Sequence, residues 1–273
     1  MTRLEVREVT SEELDLVEAV CLDPSVPLKW RIAMKPAMEK RKLWLKKMMR
    51  KGLQVSVVFV ERRRRVEGSE DKPMAPKGLV EYVPIEYAPE PVTGKNSLFM
   101  DCLWVMPPCW RHGYGSCLMR RFLEKAKDYG GATVLAYEGD RWFRFFPYMP
   151  ADYFRKFGFK EVCHDRTRVL LHLDLGAHEK PVLLLPKRQG LERGSGRVEV
   201  LFNSQCPWSG WMAQRAHEDL AKRGVVSKAA NTDRCAVMMK YGLSRGIVVD
   251  GNPVVCRMAS QREVESAVKA AAR

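Results

Sequence analysis

Two glycines separated by one residue lie between a predicted strand and a predicted helix. Gly113 and Gly115 follow the apolar run 98–105 and precede an amphipathic stretch that continues through Ala126. Glycine lets the backbone approach a bound group closely, and the free N–H groups and dipole at a helix start attract anionic oxygens. The order strand, glycine turn, helix therefore predicts a phosphate-binding site, although the same turn also occurs as a purely structural cap.

A cysteine also stands at the predicted start of a helix. Cys206-Pro207-Trp208-Ser209 follows a predicted strand, 197–202, and precedes a predicted helix, 210–223. A helix N-terminus stabilises a thiolate, which makes Cys206 a candidate reactive thiol, and a vestigial thiol is the equal alternative. Ser209 cannot resolve a mixed disulfide, so dithiol reductase turnover is not expected.

The other seven cysteines form no CxxC pair and no repeated ligand spacing. We therefore expect no metal site, and we expect reduced thiols in a cytoplasmic protein, since the chain shows no export signal. No apolar run approaches the roughly 20 residues that a membrane-spanning helix needs, so no membrane partner is expected.

The elements around these motifs predict an α/β fold of the α+β kind, with a mixed sheet. They also predict two units. A strand comes first, followed by a helix that a hydroxyl of Thr10 or Ser11 can cap and whose first turn is acidic, and a basic helix with an apolar stripe is predicted over 35–51. Further strands are predicted over 53–60, 78–83, 97–105 and 131–138. A Pro- and Gly-containing stretch then separates the units, giving domains 1–178 and 197–273 joined by a short strand and linker over 179–196.

The glycine turn and its strand resemble motif A of the GNAT acetyltransferases, with matches at Leu103, Val105, Pro107, Gly113 and Gly115. Trp110 departs from the family pattern, which has Gln or Arg at that position. Residues 151–162 resemble motif B of the same family. The resemblance implies the GNAT fold, acetyl-CoA as co-substrate, and a cofactor site that comprises Leu103, Trp104, Val105, Arg111, His112, Gly113, Tyr114, Gly115, Ser116 and Phe154.

The same resemblance implies direct attack of an amine on the thioester, with a base and a proton donor. Asp101, on the central strand, is the first candidate base, and Glu81 and Glu138 are the alternatives. Phe154 stands where the family has its proton-donating tyrosine, so Tyr153, which is slightly favoured, or Tyr148 would replace it. Each of these side chains could equally serve only packing or surface charge.

The C-terminal unit resembles the start of the thioredoxin and glutaredoxin fold. Ser209 replaces the second cysteine of that motif, and Arg245 and Gly246 lie where the fold usually has a cis-proline. Acetyltransferases of the YoaP-like arrangement have such an extension. The main alternative function is therefore a degenerate acyl-CoA-binding protein whose Cys206 handles a thiol or a protein partner.

Positive charge and aromatic residues suggest two further roles. The net charge is +14, and residues 29–65 hold fourteen Lys or Arg against two Glu. A nucleic acid partner is one interpretation, with Trp30, Trp44 and Phe59 as stacking residues, and a solvated helix face is the other. The aromatic and basic stretch 140–150 would line the acceptor pocket or pack as a loop.

Overall fold

The computed structural model describes residues 3–61, 73–139, 148–189 and 197–258, together with five positions between 262 and 269. The end of the basic stretch 29–65, from residue 62, and most of the aromatic stretch 140–150 lie outside the described residues.

The larger sheet has seven strands in the order β1-β2-β3-β5-β6-β8-β7. All neighbours in it are antiparallel except β5 and β6, so the predicted mixed α/β architecture is confirmed. The elements of this part are β1 (Leu4–Glu8), α1 (Leu14–Cys21), α2 (Leu28–Met49), β2 (Gln54–Glu61), β3 (Met74–Pro84), β4 (Val92–Lys95), β5 (Ser97–Val105), α3 (Tyr114–Ala126), β6 (Gly131–Tyr137), α4 (Ala151–Arg155), β7 (Lys160–Asp165), β8 (Arg168–Asp174) and β9 (Glu179–Leu183).

Strands β5 and β6 pair in parallel over only part of their length and then separate. Ser97 to Met100 pair with Gly131 to Val134, and no pairing follows beyond them. On its other side, where it pairs with β3, β5 has a bulge. Two consecutive residues of β3, Glu81 and Tyr82, pair with Cys102 and Met100, so the β5 residue between these two is skipped. A bulge re-aims side chains and bends a strand. The separation of β5 and β6 creates the space for a ligand between them.

Helix α2 begins at Leu28, seven residues before the predicted start, because Pro27 precedes it with extended backbone. Its buried positions, Met34, Met38, Arg41, Trp44, Leu45 and Met48, follow helical spacing and face the sheet. Two aromatic residues of the suggested stacking surface, Trp44 and Phe59, are buried in this core. They are therefore unavailable to stack on nucleic acid bases.

The C-terminal unit has a four-stranded sheet in the order β11-β10-β12-β13, in which β10 and β11 are parallel. Its elements are β10 (Val198–Phe202), α5 (Pro207–Lys222), β11 (Ser227–Asn231), α6 (Cys235–Tyr241), β12 (Gly246–Val249) and β13 (Asn252–Val255). Among the helices of the described residues, none is both long and apolar enough to cross a membrane.

The two units pack closely together. Trp208 and Trp211 of α5 pack against the core between α2 and the large sheet, and Trp30 of α2 contacts both indoles, at centroid distances of 6.5 and 5.5 Å. The first part of the predicted linker, β9, pairs with β4 and so is structured against the first unit. The two units therefore share an apolar interface, although the sequence predicts a linker between them.

Candidate active site

A cleft of about 890 Å³ lies where β5 and β6 separate. The ends of these strands and the starts of α3 and α4 line it. Its volume is large enough for a ligand of cofactor size. Most of the residues predicted for the cofactor site line this cleft, namely Leu103, Trp104, Val105, Arg111, Gly113, Tyr114, Gly115 and Ser116.

The glycine turn opens onto the cleft. Gly113 precedes α3 with φ +81°, in the left-handed region, and a Cβ added there would meet no atom within 4 Å. A Cβ at Gly115 would lie 3.1 Å from the Tyr153 hydroxyl. The first turn of α3 leaves N–H groups without helical partners, and these groups attract anions. The turn can therefore hold a diphosphate without a lysine.

Trp110 occupies the position where the family pattern has Gln or Arg. Its indole Nε1 donates a hydrogen bond to the Val105 carbonyl over 2.6 Å. The ring meets Trp104 edge-on, with 6.2 Å between centroids. Trp110 thereby ties the end of β5 to the glycine turn, which explains how the turn is held despite the departure from the motif.

Met149 covers a backbone donor at the point where β5 leaves β6. The Leu103 N–H faces the Met149 sulfur at 3.2 Å, and Met149 is buried with φ +47°. An N–H at this place can polarise a thioester carbonyl. A ligand that uses it must first displace the Met149 sulfur.

The predicted base, Asp101, is buried on β5. It is 5% exposed, and neither carboxyl oxygen has a hydrogen-bond partner among the described residues. Burial raises its pKa well above the usual range, and the nearby carboxylates of Glu81 and Glu90 add to this effect. Asp101 does not line the cleft, and its role as a base stays a prediction.

The two alternative carboxylates, Glu81 and Glu138, differ in burial and in position relative to the cleft. Glu81 is fully buried, pairs with Arg41, and accepts a hydrogen bond from Gln205 Nε2 over 3.1 Å. Glu138 lines the cleft and pairs with Arg155. Of the three carboxylates, only Glu138 lies where it could meet a substrate.

The predicted proton donors lie in different places. Tyr153 lines the cleft, and burial raises the pKa of Tyr153 to about 12. Tyr148 lies behind the cleft, where its hydroxyl donates to Cys102 Sγ over 3.5 Å, and burial raises its pKa as well. A raised pKa keeps both hydroxyls in the protonated form that a proton donor needs.

Two residues predicted for the cofactor site do not line the cleft. Phe154 is fully buried and packs on Tyr153 and Phe159, with centroids 5.4 and 6.1 Å away. The Phe154 side chain points from α4 into the core, which corrects the prediction that it belongs to the cofactor site. His112 is exposed and stacks on Tyr114 at 5.7 Å, at the rim of the turn.

Cys206 lies closer to this region than its place in the sequence indicates. It is at the start of α5 and lines a small cavity of about 40 Å³ together with Cys21, Arg41, Cys102, Trp104, Tyr148, Gln205, Pro207 and Trp208. The buried side chains of Arg41, Gln205 and Arg245 near this cavity were not found by sequence reasoning. No group of three or more potential metal ligands occurs within the part of the chain that the structure describes.

Residues 61–141 match the model of the acetyltransferase (GNAT) family. This range contains β5, the glycine turn, α3 and β6, so the similarity to that family covers elements that line the cleft. Acetyl-CoA is the co-substrate of that family.

The chain is also similar to an uncharacterised N-acetyltransferase, YoaP, of Bacillus subtilis (strain 168), with 24% identity over 194 residues, or 69% of each chain. Solved structures with a similar arrangement include an acetyltransferase from Thermus thermophilus, with 16% identity and a TM-score of 0.42 over 63% of this chain and 97% of that one. Another is a GNAT family acetyltransferase from Brucella melitensis in complex with acetyl-CoA, with 15% identity and a TM-score of 0.38 over 64% of this chain and 90% of that one.

Proposed function

We propose that the protein transfers the acetyl group of acetyl-CoA to an amine. The observation that carries this proposal is the 890 Å³ cleft, which joins the glycine turn to the separated ends of β5 and β6. The turn would hold the diphosphate, and the pantetheine arm would extend along Leu103 to Val105. The thioester would then lie beside the Leu103 N–H.

The chemistry of the proposal is direct attack of a neutral amine on the thioester carbonyl. The Leu103 N–H would stabilise the charge that develops on the carbonyl oxygen. Among the proton donors we favour Tyr148, because its hydroxyl contacts Cys102, the residue before Leu103. The Tyr153 hydroxyl lies instead against the glycine turn. Glu138, which lines the cleft, would receive the amine proton directly or through water.

Calorimetric titration with acetyl-CoA, coenzyme A and dephospho-coenzyme A tests the cofactor site. Gly113→Glu places a carboxylate in the turn, and Gly224→Glu is its matched control. Both glycines have positive φ, +81° and +73°, and open space around them. The backbone strain is therefore the same, about 1–2 kcal/mol, and only Gly113 lies in the cleft.

We expect binding by the wild type and by Gly224→Glu, and affinity at least about tenfold lower for Gly113→Glu, or ~1.4 kcal/mol. Equal affinity for both variants would place the coenzyme elsewhere, and absence of binding by the wild type would refute the proposed function. Once binding is established, the amine is identified by screening acceptors.

A second candidate function is thiol chemistry by a thioredoxin-like C-terminal unit. The support for it is the sheet order β11-β10-β12-β13 with Cys206 directly before α5. In this function the acetyltransferase domain would bind acyl-CoA only as a sensor. Acetylation of any amine by the purified protein, lost on Tyr148→Phe substitution, would favour the first proposal over this one.

A further inference from the structure

The carboxylate of Glu138 is held by an arginine from α4. Glu138 follows the last residue of β6 and lines the cleft, and its Oε1 accepts a hydrogen bond from Arg155 Nη1 within an ion pair. His164 Nε2 lies 4.0 Å from the other oxygen, Oε2, which is beyond hydrogen-bond distance. Within the described part of the chain, Arg155 therefore fixes one oxygen of Glu138, and no hydrogen bond engages the other.

Arg155 is itself fixed by two further carboxylates. Its Nη1 also donates to Asp152 Oδ1 over 3.0 Å, and its Nη2 donates to Glu161 Oε2 over 3.0 Å. The three carboxylates come from three places, namely the end of β6, α4 and β7. The guanidinium group is planar with fixed N–H directions, so contacts at both Nη atoms determine its orientation. An isolated surface pair holds its geometry weakly, and a network of several charges is the exception.

A general base needs this kind of support. The base must lie within about 2.6–3.2 Å of the proton that it removes, or reach it through one water. The backbone of Glu138 is held, because its N–H donates to the Thr167 carbonyl over 2.9 Å. The side chain beyond it has rotatable bonds, and its direction is set by the contact with Arg155. Misplacement of a catalytic group by 1 Å can lower a rate by about 10²-fold.

His164 does not take over this task. Its Nε2 is 2.6 Å from the Arg166 carbonyl, to which it donates, and its Nδ1 is 3.9 Å from Glu161 Oε1. The imidazole therefore has its own partner in the turn between β7 and β8. Among the described residues, Arg155 is the cation that contacts Glu138 directly.

We propose that Arg155 is a positioning residue for acetyl transfer, which holds the Glu138 carboxylate so that Oε2 receives the proton of the acceptor amine. The proposal rests on the function proposed above. The amine nitrogen bonds to the acetyl carbon, its proton passes to Glu138 directly or through water, and the bond from the acetyl carbon to the coenzyme A sulfur breaks. The departing sulfur takes the proton of Tyr148, and Glu138 and Tyr148 then return to their starting forms by exchange with water. Arg155 keeps its protons throughout.

Steady-state kinetics of the full-length protein tests this role. The probe amines are 1,4-diaminobutane, 2-phenylethylamine, glucosamine and a lysine-containing peptide, and release of coenzyme A is followed. With the amine that the wild type acetylates fastest, Glu138→Gln should lower kcat by about 10²–10⁴. Arg155→Met should lower kcat by about 10–10², with little change in KM for acetyl-CoA. Arg155→Lys should lie between Arg155→Met and the wild type, because it keeps a charge but loses the planar fork.

A double variant and a matched control separate positioning from a structural effect. In the Glu138→Gln background, Arg155→Met should cause no further loss of kcat, because Arg155 acts through Glu138. The control is Arg121→Met on α3. Arg121 is 27% exposed, similar to the 35% of Arg155, and it pairs with Glu124 at 3.1 Å outside the cleft. We expect wild-type kcat for this control.

The outcomes distinguish this proposal from the proposed function. Wild-type kcat for Arg155→Met, or a loss that multiplies with that of Glu138→Gln, would overturn only the role of Arg155. Absence of acetyl-CoA binding and of acetyl transfer in the wild type would overturn both proposals. Wild-type affinity of Arg155→Met for acetyl-CoA shows that its loss of kcat is not due to unfolding. If Arg155→Met does not fold, Arg155→Lys decides, since wild-type kcat for that variant would overturn the proposal and a lowered kcat supports it.

Discussion

The ion pair between Arg245 and Glu90 is expected to stabilise the contact between the two units. Arg245 Nη2 lies 2.7 Å from Glu90 Oε1, and the side chains are 3% and 7% exposed. Ser244 Oγ donates to the other Glu90 oxygen over 2.5 Å. Removing one partner of a buried pair leaves an uncompensated charge and costs about 3–5 kcal/mol. Arg245→Met should therefore lower the free energy of unfolding by ~3–5 kcal/mol, a large part of a typical domain's stability.

Urea unfolding followed by tryptophan fluorescence measures this loss. Lys95→Met is the control, because Lys95 and Glu179 form an exposed pair at 3.5 Å with 75% and 55% exposure, and such pairs contribute about 0–1 kcal/mol. Glu90→Gln combined with Arg245→Met should recover most of the loss, since both charges are then absent. If Arg245→Met cost no more than Lys95→Met, the pair would be solvated and the reasoning would be wrong.

Three other predictions concern the cleft and its surroundings. Met149→Leu removes the sulfur that the ligand must displace from the Leu103 N–H, so calorimetry should show affinity for acetyl-CoA rising by up to about tenfold, and weaker binding would contradict this role. Burial raises the pKa of Asp101, so the folded state keeps a proton that the unfolded chain loses above about pH 3.9, and stability falls as pH rises from there. Unfolding measured at increasing pH should show Asp101→Asn gaining stability relative to the wild type, and a pH-independent difference would contradict the shift. In steady-state acetyl transfer, Tyr148→Phe should lower kcat by about 10²–10⁴ and Tyr153→Phe should mainly raise KM, whereas the reverse pattern would make Tyr153 the donor.

The parts of the fold that depend on local sequence could be predicted. The glycine turn combines a left-handed residue, Gly113, with a helix start, and both are visible as residue types. The strands β2, β5 and β6 are runs of apolar residues, and their predicted bounds agree with the structure within a few residues. In contrast, β4 has only four residues, and it exists because β9, more than eighty residues later, pairs with it. Such a pairing leaves no local signal.

The environments of charged residues were the least predictable part of the site. Arg41 appeared to belong to a solvated basic stretch, although its spacing from Met34, Met38, Leu45 and Met48 places it on the apolar face of α2. That spacing was the available signal. For Asp101 the apolar strand around it indicated burial, but the charges that act on its pKa, those of Glu81, Glu90 and Arg245, come from other segments. Charges that neutralise each other across two units can be recognised only in three dimensions.

The shared interface has a consequence for the integrity of the molecule. Trp208 and Trp211 complete an apolar core that otherwise belongs to the first unit, and Gln205 bonds to the buried Glu81. A proteolytic cut between residues 190 and 196 would break the covalent connection but leave these contacts intact. The two fragments should then remain associated, and neither would be expected to keep its native surface after separation. Their association would then depend on the interface alone, without the high local concentration that a covalent connection provides.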